Sequence, residues 1–168
     1  MHALLQQLPA LVGVVIGALA SYLAGTAAER TRWQREHKVR WDAKRMDAYA
    51  SYALTVKTFI LIASRISASR DLGPKAQPLP IEENLEKLAQ AEIDRATAWE
   101  QVLLIGDPAT IDAARSWHQC AWDLEQFARG NRTGKQEWAA AYDAANNARA
   151  EFYRNARNDL SVPGVPPA

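Results

Sequence analysis

The sequence predicts an all-α protein: an N-terminal transmembrane helix that continues into an antiparallel, up-down-up-down helical bundle. Three observations carry this. Leu8 to Ala28 holds no charged side chain, and about 21 such positions are enough for a helix to cross a hydrocarbon core. From Tyr49 onward apolar residues recur at steps of three and four, the helical period. Beyond the anchor, glycine and proline fall between these segments rather than within them, and β-branched runs are scarce. The chain divides into an N-terminal tail and transmembrane helix (1–28), a basic juxtamembrane stalk (29–47), a four-helix bundle (48–160) and a disordered tail (161–168).

The net charge of +1 hides an asymmetry. Glu29 to Arg70 carries ten basic and four acidic residues, so the rest of the chain is acidic. The basic residues Arg30, Arg32, Arg35, Lys38, Arg40, Lys44 and Arg45 follow directly on the apolar run. That order suits a protein held against anionic lipid headgroups and argues against nucleic acid as a partner. By the positive-inside rule the bundle stays in the cytoplasm, the N-terminus lies outside, and the anchor is single-pass in the inner membrane. Arg30, Arg32, Trp33 and Arg35 fall at headgroup depth, where an indole ring and snorkelling guanidinium groups are stable. A cleaved signal peptide is disfavoured, because MHALLQQ lacks the usual Lys or Arg.

Gly13, Gly17, Ser21 and Gly25 recur every fourth residue. On a helix they form one stripe almost without side chains, which lets a second helix approach closely. A homo-oligomer through this stripe is the expectation.

No proline or glycine interrupts Thr26 to Leu72, which predicts one long first helix. Trp33, His37, Trp41 and Lys44 share a face of its stalk, a stretch that also suits the start of a coiled coil. Tyr49, Tyr52, Val56, Phe59 or Ile60, Ala63 and Ile66 form its buried stripe. The apolar FILIA run at 59–63 is bracketed by Lys57 and Arg65, too closely for a second crossing.

DLGPKAQPLP, 71–80, is a loop. A second helix starts near Pro80, with Glu82 and Glu83 at the positive end of its dipole. Its expected stripe is Ile81, Leu85, Leu88, Ala96, Trp99 and Leu103, bridged by Ala89 and Ile93. Gly106 reads as its C-cap. Asp107 and Pro108 read as N-cap and first position of a third helix, and the tight turn makes the two antiparallel. The third stripe is Ile111, Ala114, Trp117 or His118, Ala121, Leu124 and Ala128, with Trp122 beside it. Gly130 ends that helix. Thr133 and Gln136 match a capping box for a fourth, whose stripe is Trp138, Ala141, Tyr142, Ala145, Ala148, Phe152 and Ala156.

No catalytic, cofactor or metal-ligand motif stands out. His118 and Cys120 are two apart on a helix and point to different faces. The lone cysteine forbids an internal disulfide and reads as a small hydrophobe. Glu82, Glu83, Glu86 and Glu92 read as a solvated face; Tyr49, Tyr52 and Trp138 read as core. No cofactor is expected, and none of the residues is assigned to catalysis.

From Gly17 through Val56 the chain resembles a group of uncharacterised single-pass membrane proteins of high-GC bacteria. The residues that carry the likeness are Arg32-Trp33-Gln34-Arg35, Arg40-Trp41-Asp42 and Arg45-Met46-Asp47-Ala48-Tyr49. The resemblance implies an anchor-plus-helix architecture and brings no activity with it. The expected function is a membrane-anchored interaction, scaffold or regulatory protein that binds a partner protein, rather than an enzyme. A holin-like oligomeric lesion former and an enzyme with an unrecognised site are the alternatives.

Overall fold

The computed structural model describes Trp33, residues 40–73 and residues 77–163. The chain splits into two compact units, Met1–Asp42 and Ala43–Ala168. In the first, the described Trp33 and Trp41 are helical and exposed. None of the helices formed by described residues is long and apolar enough to cross a membrane, and the expected span at 8–28 lies outside those residues.

The second unit is all-α. Its helices are α1 (43–68 within this unit), α2 (Ile81–Ile105), α3 (Pro108–Arg129) and α4 (Lys135–Asp159). Side-chain bonds give their directions. Arg45 Nε of α1 donates to Ile105 O at the far end of α2 (2.9 Å), so these two run antiparallel. Near its start α1 bonds the early part of α3, Tyr52 Oη to Ala114 O at 2.7 Å. Past its end it bonds the late part, Arg70 Nε to Ala128 O at 2.9 Å, so α1 and α3 are parallel. Tyr49 Oη donates to Asp159 Oδ2 (2.7 Å) at one end of α4, and Lys135 pairs with Asp71 (2.7 Å) at the other. The order is up-down-up-down; the α2–α3 and α3–α4 turns are short, and the longer 69–80 connection returns the chain antiparallel to α1.

The α1 stripe is buried as expected: Tyr49, Tyr52, Val56, Phe59, Ala63 and Ile66 all lie in the core. Tyr52, Trp117 and Phe152 meet at its centre, with ring centroids 5.4 to 6.1 Å apart. Such aromatic pairs contribute roughly 1 kcal/mol each beyond their burial. A smaller cluster of Leu72, Leu124, Phe127, Trp138 and Ala145 closes the end where α1 finishes and α4 begins. Helices α3 and α4 approach closely, with Ala121, Ala128, Ala145 and Ala156 buried between the larger side chains.

Four details depart from the sequence expectations, and the first is Tyr142, placed in the α4 stripe but 36% exposed. The buried face of α2 is Asn84, Leu88, Ala91, Arg95, Ala98 and Val102. Ala89, Ala96, Ile93 and Leu103 are exposed. Leu88 is buried as expected and Ile81, Leu85 and Trp99 pack against the core, but beyond Leu88 the buried line passes through Ala91, Arg95, Ala98 and Val102, because a paired arginine takes the inward place where an apolar residue was sought. Glu92 is half-buried rather than part of a fully solvated face, and it holds that arginine. The Thr133–Gln136 capping box does not form. Gly134 is the N-cap of α4 and no side chain caps it. The turn at Asp107 behaves as its chemistry demands: Asp107 accepts from Ala109 N and Thr110 N, both at 3.1 Å.

The connector after α1 is pinned to that helix. Ser69 Oγ donates to Leu79 O (2.6 Å) and Arg65 Nε to Gln77 O (3.0 Å). Gly73 has φ +75°, and a Cβ there would lie 2.6 Å from the Trp138 ring. Only glycine allows both that turn and that contact. It thereby seats Trp138 at the edge of the groove described next.

Candidate functional site: a groove between α1 and α4

A half-open groove of about 850 Å³ runs between α1 and α4. One helix contributes Leu54, Lys57, Thr58, Leu61 and Ser64. The other contributes Trp138, Ala139, Tyr142, Asn146 and Arg149. Both sets follow steps of three and four, so each is one face of its helix. The volume lies in the range of small-molecule sites. Leu54 and Leu61 are 65% and 56% exposed although they belong to the helix that carries the core. Tyr142 stacks on Trp138 with centroids 5.1 Å apart and makes one wall.

Trp117 of α3 also lines the groove, and three polar atoms of its lining have no hydrogen-bond partner among the described residues: Ser64 Oγ, Trp117 Nε1 and Trp138 Nε1. Ser67, one turn-position along, shows the usual alternative, with its hydroxyl donating to Ala63 O at 2.8 Å. Buried polar groups left open are rare in native folds.

A second constellation joins α1, α2 and α3. Arg95 of α2 is 3% exposed and donates from Nε and Nη2 to both oxygens of Glu92 (2.8 and 2.6 Å). Its guanidinium lies 4.9 Å from the centroid of the Trp122 ring. The Trp122 indole donates to Glu92 Oε1 at 2.9 Å. His118 sits between Trp99 and Trp122, with centroids 4.8 and 4.9 Å away. The single Tyr52 hydroxyl proton goes to Ala114 O, so the 3.2 Å contact with His118 Nδ1 assigns the proton there to the imidazole. Burial, and then the Arg95 charge, push the His118 pKa from 6.5 down to about 4. Burial opposes the Glu92 charge, but the bonds from Arg95 and Trp122 outweigh it and hold that carboxyl below its ordinary value. Burial pushes the Tyr52 hydroxyl up and keeps it protonated. The cluster is a polar interlock between helices, with a neutral histidine at its centre.

Burial, then the Asp123 charge, also raises the Cys120 pKa, which keeps the half-buried thiol protonated and unreactive. Among the described residues no group of three or more His, Cys, Asp or Glu is placed to hold a metal ion.

The residues expected to mediate helix association, Gly13, Gly17, Ser21 and Gly25, lie outside the described residues. So do Arg30, Arg32 and Arg35 of the expected membrane interface. Trp33 alone of that set is described, 67% exposed on a helix. Sequence reasoning missed both the groove and the interlock. A signal for Arg95 was present: steps of three and four through Leu88, Ala91, Ala98 and Val102 pass through position 95.

Fold and groove define a class, a small all-α bundle of up-down-up-down order with a lateral apolar groove. No family model matches the chain, and no curated protein or solved structure matches it either.

Proposed function

We propose that the protein is a membrane-tethered helical module of the scaffold or regulatory kind, with the groove between α1 and α4 as its recognition surface. The groove carries the second half of this reading, because an apolar concavity with polar groups in its wall is what binding sites share. The apolar run at 8–28 and the arginines after it support the first half. In this reading the anchor crosses the inner membrane once and Arg30, Arg32, Trp33 and Arg35 meet anionic headgroups. Gly13, Gly17, Ser21 and Gly25 pair copies of the chain, and the bundle faces the cytoplasm.

Ultracentrifugation of a detergent-free lysate tests the tether. The full-length chain is expected in the pellet, released by detergent and not by salt, and deletion of 8–28 moves it to the supernatant. Full-length chain in the supernatant refutes the tether. Leu61→Asp tests the groove. It is expected to change what co-purifies with the chain, protein or lipid, and an unchanged set removes the groove from the proposal.

A further inference from the structure

The groove has two different ends. Because α1 and α4 are antiparallel, with Tyr49 beside Asp159 and Asp71 beside Lys135, Lys57 and Arg149 fall level near one end, Ser64 falls level with the middle of the α4 face, and Trp138 lies at the other end. Neither Lys57 nor Arg149 has an ion-pair or hydrogen-bond partner among the described residues. Asp143, in the middle of the α4 face, is the one carboxylate among the described lining residues, which together carry a net charge of +1. Between the ends lie Leu61 and Tyr142. From Leu54 to Ser64 the α1 side is about 15 Å long at 1.5 Å per residue.

The unmet polar atoms fall at both ends as well. Trp117 packs against Tyr52, Phe152 and Tyr153, level with the cationic end. Ser64 lies part-way along the groove and Trp138 marks the far end. All three residues are more than nine-tenths buried: Ser64 is 5% exposed, Trp117 0% and Trp138 8%. A plain hydrocarbon brings no acceptor to any of them. A rotation about its Cα–Cβ bond turns the Ser64 hydroxyl towards a guest.

We infer that the groove binds an elongated, single-chain organic monoacid, its carboxylate at Lys57 and Arg149 and an oxygen at the opposite end of its apolar chain. One channel between two helices takes one chain, which favours a free acid over a two-chain phospholipid. The net charge of +1 matches a carboxylate rather than a doubly charged phosphate monoester. An arginine offers a carboxylate two parallel bonds. The inference rests on the groove being the recognition surface and is independent of the tether.

The test is photo-crosslinking of the full-length chain, in the membranes or lysate fraction where it resides, with a diazirine-bearing dodecanoate. The expected label falls on peptides from 54–64 and 138–149. Dodecanoate is expected to compete about ten-fold better than dodecyltrimethylammonium, the cation of equal chain length. 12-Hydroxydodecanoate is expected to compete about five-fold better than dodecanoate, the value of one further hydrogen bond. The double variant Lys57→Glu, Arg149→Glu lowers labelling about ten-fold, and Lys57→Arg, Arg149→Lys retains it. Ala139→Trp, at an exposed position on the groove's lip, blocks labelling with far-UV circular dichroism unchanged. Label elsewhere in the chain, equal competition by the cation, no gain from the hydroxyl, or labelling indifferent to the charge reversal each overturns the inference. If the chain sediments with membranes and any of these occurs, the tether stands and the inference falls. If the chain is found in the supernatant and the groove is labelled as stated, the reverse holds.

Discussion

Acid should loosen this bundle well before its carboxylates titrate, and His118 is the reason. The fold accepts the imidazole only in its neutral form, with a pKa near 4 against 6.5 when unconstrained. The groups that face it are Tyr52 from α1, Trp99 and Arg95 from α2 with Glu92, and Trp122 and Arg115 from α3. Between those two pH values the unfolded chain binds more protons than the folded one, so stability rises with pH. The contribution is full above pH 6.5 and is lost as pH falls towards 4. From pH 7 to pH 5 the loss is about 2 kcal/mol. That corresponds to roughly a 1 M fall in the urea midpoint for a domain of this size. The assay is urea unfolding of the full chain at pH 7, 6 and 5, followed by far-UV circular dichroism. His118→Gln, which has no charge to gain, should flatten the slope in that window. A wild-type midpoint that does not move between pH 7 and pH 5 refutes the reasoning, as does a variant that keeps the full slope. Glu92 adds a loss of the same sign only at lower pH, since its carboxyl is held below the ordinary value.

Three further outcomes are expected. Arg95→Met strands the Glu92 carboxylate and should cost about 2–3 kcal/mol, whereas Arg95→Met with Glu92→Leu recovers part of that loss; a double-mutant cycle in urea measures it. Gly73→Ala combines a strained positive φ with a Cβ 2.6 Å from the Trp138 ring, and should cost over ~1 kcal/mol and red-shift tryptophan emission as Trp138 is displaced. Asp107→Ala removes the two capping bonds at the start of α3 and should cost about 1 kcal/mol in thermal unfolding, while Asp107→Ser loses less.

Much of this architecture was legible from spacing alone. The α1 stripe from Tyr49 to Ile66 and the turn at Gly106, Asp107 and Pro108 needed only the helical period and cap chemistry. Gly130, at φ +82°, ends α3 for the reason its residue type suggests. The α2 stripe beyond Leu88 was misread because periodicity arguments assign charge to the outside. Arg95 breaks that assumption: its partners, Glu92 and Trp122, come from its own helix and from the next, and the second cannot be seen from position in the chain. The Thr133–Gln136 box failed for a related reason. Its pattern is short and local, and the chain enters α4 one residue later, at Gly134.

The groove was illegible for a different cause. Leu54, Leu61 and Tyr142 look like ordinary members of helical stripes. Whether such a residue meets a neighbour or stays open depends on how far apart two helices stand, and the bulk of their contact residues sets that distance. Helical periodicity, the breaks between segments and the charge gradient along the chain are local properties, so the sequence determined the all-α class and the four-helix order by itself. The cleft between α1 and α4, the burial of Arg95 and the neutral state of His118 arise between segments far apart in the chain. Distance, desolvation and unmet hydrogen bonds exist only once those segments pack, and the tertiary structure alone decided them.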